Sequence, residues 1–159
     1  MNKNILYIFL FACIFSACEK DDICLLPTTP KLILRFYDST NPTEFKSVTN
    51  LSIWAEGKDT IPNYKSVSLD SIAIPLNTNT TQTVYHFKTS ATGNKADNKY
   101  NTFTLSYTTE EIYVSRSCGL KAFFNTVTIT SDNGWFQSFT PNSLTTINNE
   151  TSAHVKIYH

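Results

Sequence analysis

Apolar and polar residues alternate in short runs along most of this chain, and the period is two. In residues 31–37, Leu32, Leu34 and Phe36 are set against Ile33, Arg35 and Tyr37. Successive side chains of a strand point to opposite faces, so this reads as a half-buried strand. Residues 48–55 repeat the pattern, with Leu51, Ile53 and Ala55 on one face and Trp54 on the other. Val67 and Leu69, then Ile72, Ile74 and Leu76, predict one or two short strands around Asp70-Ser71. Pro75 has no N–H to give a ladder, which marks a sheet edge. Residues 83–89, with Tyr85 and Phe87, precede a polar loop at 91–99, and Phe103, Leu105 and Tyr107 alternate after it. Thr108-Thr109-Glu110-Glu111 reads as a turn into a strand at 112–115. Cys118-Gly119 breaks the run and residues 120–130 resume it. Ser131-Asp132-Asn133-Gly134 has the composition of a hairpin turn, and residues 145–148 and 153–158 are positioned to close the sheet.

About eight or nine short strands at ~8–12-residue spacing, with no helical period, predict an all-β fold. The expectation is an immunoglobulin-like antiparallel β-sandwich over residues 31–159, as one domain. Composition agrees: 41% of residues are apolar and 13% aromatic, and aromatic and β-branched residues favour strands. Formal charge is zero, with 13 basic and 13 acidic residues. No basic stripe appears, so nucleic acid is not an expected partner.

One segment does not fit the strand pattern. Residues 5–15 form a continuous apolar run behind Lys3, too short to span a bilayer, which takes ~20 apolar residues. The order of charge, apolar run and small residues is that of a secretory signal. Ser16 and Ala17 before Cys18 resemble a bacterial lipobox, with Phe15 where Leu is commonest, a position that lipoproteins of the Bacteroidota relax. The resemblance implies removal of residues 1–17 and lipidation of Cys18, with residues 18–30 as a tether. Acyl chains there would anchor the protein, each buried CH₂ contributing ~0.8 kcal/mol. Lys20, Asp21 and Asp22 directly after it resemble the export signal that places Bacteroidota lipoproteins on the outer face of the outer membrane. The periplasmic face of that membrane is the alternative.

Cysteine usage follows from that compartment. Of the four cysteines, Cys13 leaves with the signal and Cys18 carries lipid. Cys24 and Cys118 remain in an oxidising environment and are expected to pair. Closing a loop of ~95 residues is worth about 4 to 5 kcal/mol in the chain-entropy model.

Two cysteine-bearing blocks carry a family resemblance: Cys24 with Thr28-Thr29-Pro30 and Leu32 to Asp38, and Tyr113-Val114-Ser115-Arg116-Ser117-Cys118-Gly119-Leu120-Lys121. Together they resemble a small family of uncharacterised lipoproteins from flavobacteria and their relatives. The resemblance implies the compartment and the fold and adds no activity.

Candidate chemistry is sparse. The sequence has no nucleophile elbow, phosphate-cradling Gly loop or His-Glu-x-x-His motif. His86, His154 and His159 stand far apart, and no metal or other cofactor is expected. Glu110 and Glu111 are adjacent and are read as turn residues rather than as an acid pair. Trp135, Phe136 and Phe139 are either core or, if exposed together, a binding platform. Ser39, Thr60 and Ser71 each follow Asp, resembling the Asp-Ser/Thr-apolar sequon of Bacteroidota O-glycosylation. The expected function is that of a non-catalytic structural or interaction module of the envelope, its partner another envelope protein or a glycan. A glycan- or small-ligand-binding surface lipoprotein is the alternative, and an enzyme accessory comes after it.

Overall fold

A computed structural model of the protein describes Cys24, residues 28–132 and residues 134–159. The predicted signal segment, Cys18, Lys20, Asp21 and Asp22 lie outside the described residues, as does Asn133 of the predicted hairpin turn.

Among the described residues, ten strands form two sheets. Strands β1 (Leu32–Tyr37), β4 (Ser71–Ile74), β8 (Ser138–Thr140) and β10 (Val155–Tyr158) make a four-stranded sheet in the order β4-β1-β10-β8. Strands β2 (Val48–Ala55), β3 (Val67–Leu69), β5 (Gln82–Ser90), β6 (Asn98–Ser115), β7 (Gly119–Ser131) and β9 (Ser143–Ile147) make a six-stranded sheet in the order β3-β2-β5-β6-β7-β9. The inner faces meet over one core. Leu34, Phe36, Ile74 and Ile157 come from the small sheet, and Leu51, Ile53, Phe87, Phe103, Leu105 and Phe124 from the large one. Alternate residues point inward, as the period of two requires.

The fold is the expected β-sandwich, with three differences in detail. The ladders are antiparallel except for β1 against β10, which run parallel. There are ten strands rather than eight or nine, and two are long. The predicted turn at Thr108-Thr109-Glu110-Glu111 is instead the middle of β6, which stays paired with β7 from Phe103↔Ser131 to Ser115↔Gly119. Two threonines and two glutamates have no turn geometry of their own, and cross-strand pairing decides the outcome. Asp70 is where the chain crosses between sheets: β3 belongs to one and β4 to the other. Pro75 directly follows β4, the edge strand of its sheet.

Bulges explain where the alternation slips. Val48 and Leu51 are both buried although three apart, because Asn50 adopts φ 50° between them. Phe124 and Val127 show the same spacing around Thr126, at φ 52°. One extra residue in the left-handed region flips the faces so that both halves of the strand feed the core.

The β6–β7 turn is covalently fixed. Cys118 forms a disulfide with Cys24, 94 residues away, with Cα atoms 4.9 Å apart. Within the turn the Ser115 hydroxyl accepts from Cys118 N–H at 3.1 Å, and Gly119 takes φ +67°. Thr29 Oγ1 accepts from Ala122 N–H at 2.9 Å, so the entry segment runs along β7.

Candidate functional site

Trp135, Phe136 and Phe139 do not make an exposed platform; they fill the end of the core. Phe136 is 7% exposed and sits against Phe87 (ring centroids 5.3 Å apart) and Phe103 (6.0 Å). Trp135 stacks on Phe36 at 6.1 Å and Phe139 packs edge-on to Phe103 at 5.4 Å. Burying this much aromatic surface outweighs anything the rings would gain in water.

A buried amide holds that corner. Asn101 is 1% exposed and faces inward on β6. Its amide donates to Asp132 Oδ1 at 2.8 Å and to Ser131 Oγ at 2.5 Å. Its Oδ1 accepts from Phe136 N–H at 2.9 Å. A Cβ at Gly134 would collide with the Tyr100 carbonyl and the Asn101 side chain, so only glycine lets the chain pass here.

The outer face of the large sheet carries the most developed surface feature. Two rows of side chains cross three strands there. Trp54, His86 and Thr102 are register partners, and beside them run Ser52, Lys88 and Tyr100. Trp54 stacks on His86 (5.5 Å, 27° between planes) and meets Tyr100 edge-on at 6.5 Å. Glu56 bonds to His86 Nε2 and holds the imidazole in place. The segment after β2 folds back as a wall. Ile61 N–H donates to the Ile53 carbonyl at 2.9 Å, and Ser66 N–H donates to Ser52 Oγ at 3.0 Å. Tyr64, in a 3₁₀ turn at Pro62–Tyr64, donates its hydroxyl to the Ala73 carbonyl and accepts from Ala73 N–H, both at 2.9 Å.

Between wall and sheet lies an open groove of about 440 Å³, lined by Ser52, Trp54, Lys58, Asp59, Lys88 and Tyr100, with Thr60 and Lys65 along its wall. Tyr100 is 55% exposed. Three ammonium groups against one carboxylate give the lining positive charge. Aromatic faces and exposed cations in one concavity are what a planar or cyclic anionic ligand needs.

The other exposed large apolar side chains fall elsewhere. Phe45, on the outer side of the small sheet, lies beneath the Arg35 guanidinium at 3.8 Å and beside Tyr37 at 5.1 Å. Its ring is already in use. Tyr113 and Leu120 stand at the tip of the β6–β7 hairpin.

The remaining expected sites are dispersed. Ser39, Thr60 and Ser71 are each half-buried, in the turn after β1, on the groove wall and at the start of β4. Beside Ser39, Thr40 donates its hydroxyl and its N–H to Asp38 Oδ1, both at 2.7 Å, and these bonds hold the carboxyl well below the usual carboxylate range. His154 and His159 sit in separate places and burial pushes both imidazoles below the ordinary range. Tyr85 is pushed up to about 12 by burial, its hydroxyl bonded to the Pro75 carbonyl. Among the described residues, no three His, Cys, Asp or Glu side chains come together as a metal site, and no helix is long and apolar enough to cross a membrane.

The sequence reading missed the groove, yet one signal was present: Trp54 falls on the face opposite Leu51 and Ile53, where a tryptophan has no core to fill. Tyr100 and Lys88 gave no such signal, because their meeting depends on the β5–β6 register.

No curated protein and no solved structure matches the chain. A family model matches residues 50–159, which takes in every strand from β3 onward and all the side chains that line the groove. On that match the chain belongs to a family of unknown function (DUF6452).

Proposed function

We propose that the protein is a non-catalytic binding module of the cell envelope, held to the outer membrane by lipid on Cys18, displayed outward under the Lys20-Asp21-Asp22 signal, and recognising an acidic glycan in the Trp54–Tyr100 groove. This is a lipoprotein of the flavobacterial and Bacteroidota kind that the sequence resembles. The observation that carries the binding assignment is the groove itself, with Trp54, Tyr100 and Lys88 on the sheet and Lys58 and Lys65 on the wall beside it. The C–H faces of sugar rings stack on aromatic side chains, and ammonium groups meet carboxylates or sulfates. A ladder of register partners fixes the spacing of Trp54, Lys88 and Tyr100, which limits the entropy lost on binding.

An envelope-protein partner is the weaker reading. The large exposed apolar side chains are divided among three places rather than forming one patch, and a stable protein interface buries on the order of 1,200–2,000 Å². Thr60 on the wall adds one feature: a sugar attached there would lie against the groove and compete for it.

The test is affinity electrophoresis in gels containing alginate, polygalacturonate or dextran. The two acidic polymers are expected to retard the protein and dextran is not. Tyr100→Ser with Lys88→Ala removes one ring and one charge from the surface and is expected to abolish the retardation. No retardation by either acidic polymer, or retardation unchanged in the double variant, would sink the assignment.

A further inference from the structure

Tyr113 and Leu120 have no role in the groove and lie at the other end of the sheet. They are register partners across the β6–β7 hairpin, so both project from one face of the ribbon. They are 67% and 60% exposed. Farther along that face of β7, Ala122 and Phe124 are buried, so the apolar stripe continues beyond the body that covers it. Within the tip, from Ile112 to Lys121, the charged residues are Arg116 and Lys121, both basic, and the acidic pair Glu110 and Glu111 lies behind them, opposite Phe123 and Ala122; Lys121 Nζ lies 4.8 Å over the Phe123 ring. Cys118 in the same turn is bonded to Cys24, six residues after Cys18. Six residues span at most ~20 Å.

We propose that this tip docks into the headgroup region of the membrane that carries the lipid anchor, Tyr113 and Leu120 entering the interface and Arg116 and Lys121 meeting anionic headgroups. The inference rests on the anchoring of Cys18 proposed above. Two apolar side chains are far too small a patch for a stable protein partner, but enough for a second contact beside an anchor, where one attachment makes the next intramolecular. Tyrosine suits the interface, with an apolar ring and a polar end. Docking would set the long β6–β7 ribbon away from the bilayer. Thr102, the register neighbour of the Trp54–His86 pair, is 13 residues from Ser115 along β6, or about 43 Å at ~3.3 Å per residue. The groove would face the medium.

The test uses the full-length lipidated chain carrying L120W, reconstituted in vesicles of phosphatidylcholine and phosphatidylglycerol with plain or brominated acyl chains. Trp54 and Trp135 lie near the far end of the ribbon and supply an unquenched background, measured in the wild-type chain. The emission added by L120W is expected to shift to the blue and fall at least twofold in brominated vesicles. Y113W is the second reporter, should L120W fold poorly. A chain that floats with the vesicles while neither reporter is quenched overturns the docking and leaves the anchor intact. A wild-type chain that does not float overturns the anchor and the docking with it.

Discussion

Asn101→Leu tests how the corner beneath Tyr100 is held. Leucine has the same branched skeleton of four side-chain heavy atoms as asparagine and larger methyl ends, so the change removes polar partners without leaving a void. The three shortest hydrogen bonds of the Asn101 side chain disappear, to Asp132 Oδ1, Ser131 Oγ and Phe136 N–H. The Asp132 carboxylate lies at an exposed residue and recovers water, so its loss is small. The Phe136 amide is buried and gives its hydrogen to Asn101 Oδ1, and leaving such a group unsatisfied costs ~1–3 kcal/mol. Adding about 1 kcal/mol for the ordered Ser131 contact gives roughly 2–4 kcal/mol in all. For a domain of this size that lowers Tm by about 10 °C. The assay is thermal unfolding followed by circular dichroism, with Ser131→Ala as a companion expected to cost less than about 1 kcal/mol. If Asn101→Leu melts within 1–2 °C of the wild type, the amide is not what fastens residues 134–136 to β6, and the reasoning fails.

Other perturbations give separate readings. Replacing both Cys24 and Cys118 by Ser opens a loop of 94 residues, and about 4 to 5 kcal/mol of stability is expected to go with it; a denaturant midpoint unchanged between oxidised and reduced protein would contradict this. Stability is expected to fall as pH drops from 7 to 5. Burial lowers the pKa of His154 and His159 from 6.5, so below that pH the unfolded chain binds protons that the folded one refuses. Asp38 has the same sign, a lowered carboxyl whose contribution is likewise lost as pH falls, but only in acid below its ordinary 3.8, outside this window. His154 Nδ1 also accepts from Ile33 N–H at 2.9 Å, and His154→Gln is expected to flatten the slope of Tm against pH; an unchanged slope would exclude it as the source. Tyr100→Ser is expected to leave Tm within about 2 °C, since the ring is mostly in water, and a large drop would mean that Tyr100 is structural.

Much of the fold was legible because strands announce themselves through a period of two. Leu32, Leu34 and Phe36 of β1 needed nothing but local alternation, and so did Phe103, Leu105 and Tyr107 of β6. The disulfide was legible by elimination among four cysteines. The reading failed where pairing at a distance overrides local preference. Thr108 to Glu111 are strand because β7 runs beside them, and nothing in those four residues carries that information. Trp135, Phe136 and Phe139 stood between core and platform because a dense aromatic cluster has the same composition inside or outside a protein; their packing against Phe36, Phe87 and Phe103 decides for the core. Buried Asn101 itself was invisible, since asparagine in sequence reads as a loop residue. The groove was half legible, in the outward parity of Trp54, and its lysines were not, because Lys58, Lys65 and Lys88 converge only after the wall folds back over β2.

The central claim is that the groove binds and the core cluster does not, and the two tryptophans separate these directly. Trp54 lines the groove and Trp135 packs against Phe36. In a nitrogen-15 spectrum titrated with polygalacturonate oligomers, the Trp54 indole N–H and the backbone amides of Lys88 and Tyr100 are expected to move together and saturate, while the Trp135 indole stays fixed. Shifts that miss Trp54, or that appear only at the β6–β7 tip, would contradict the claim.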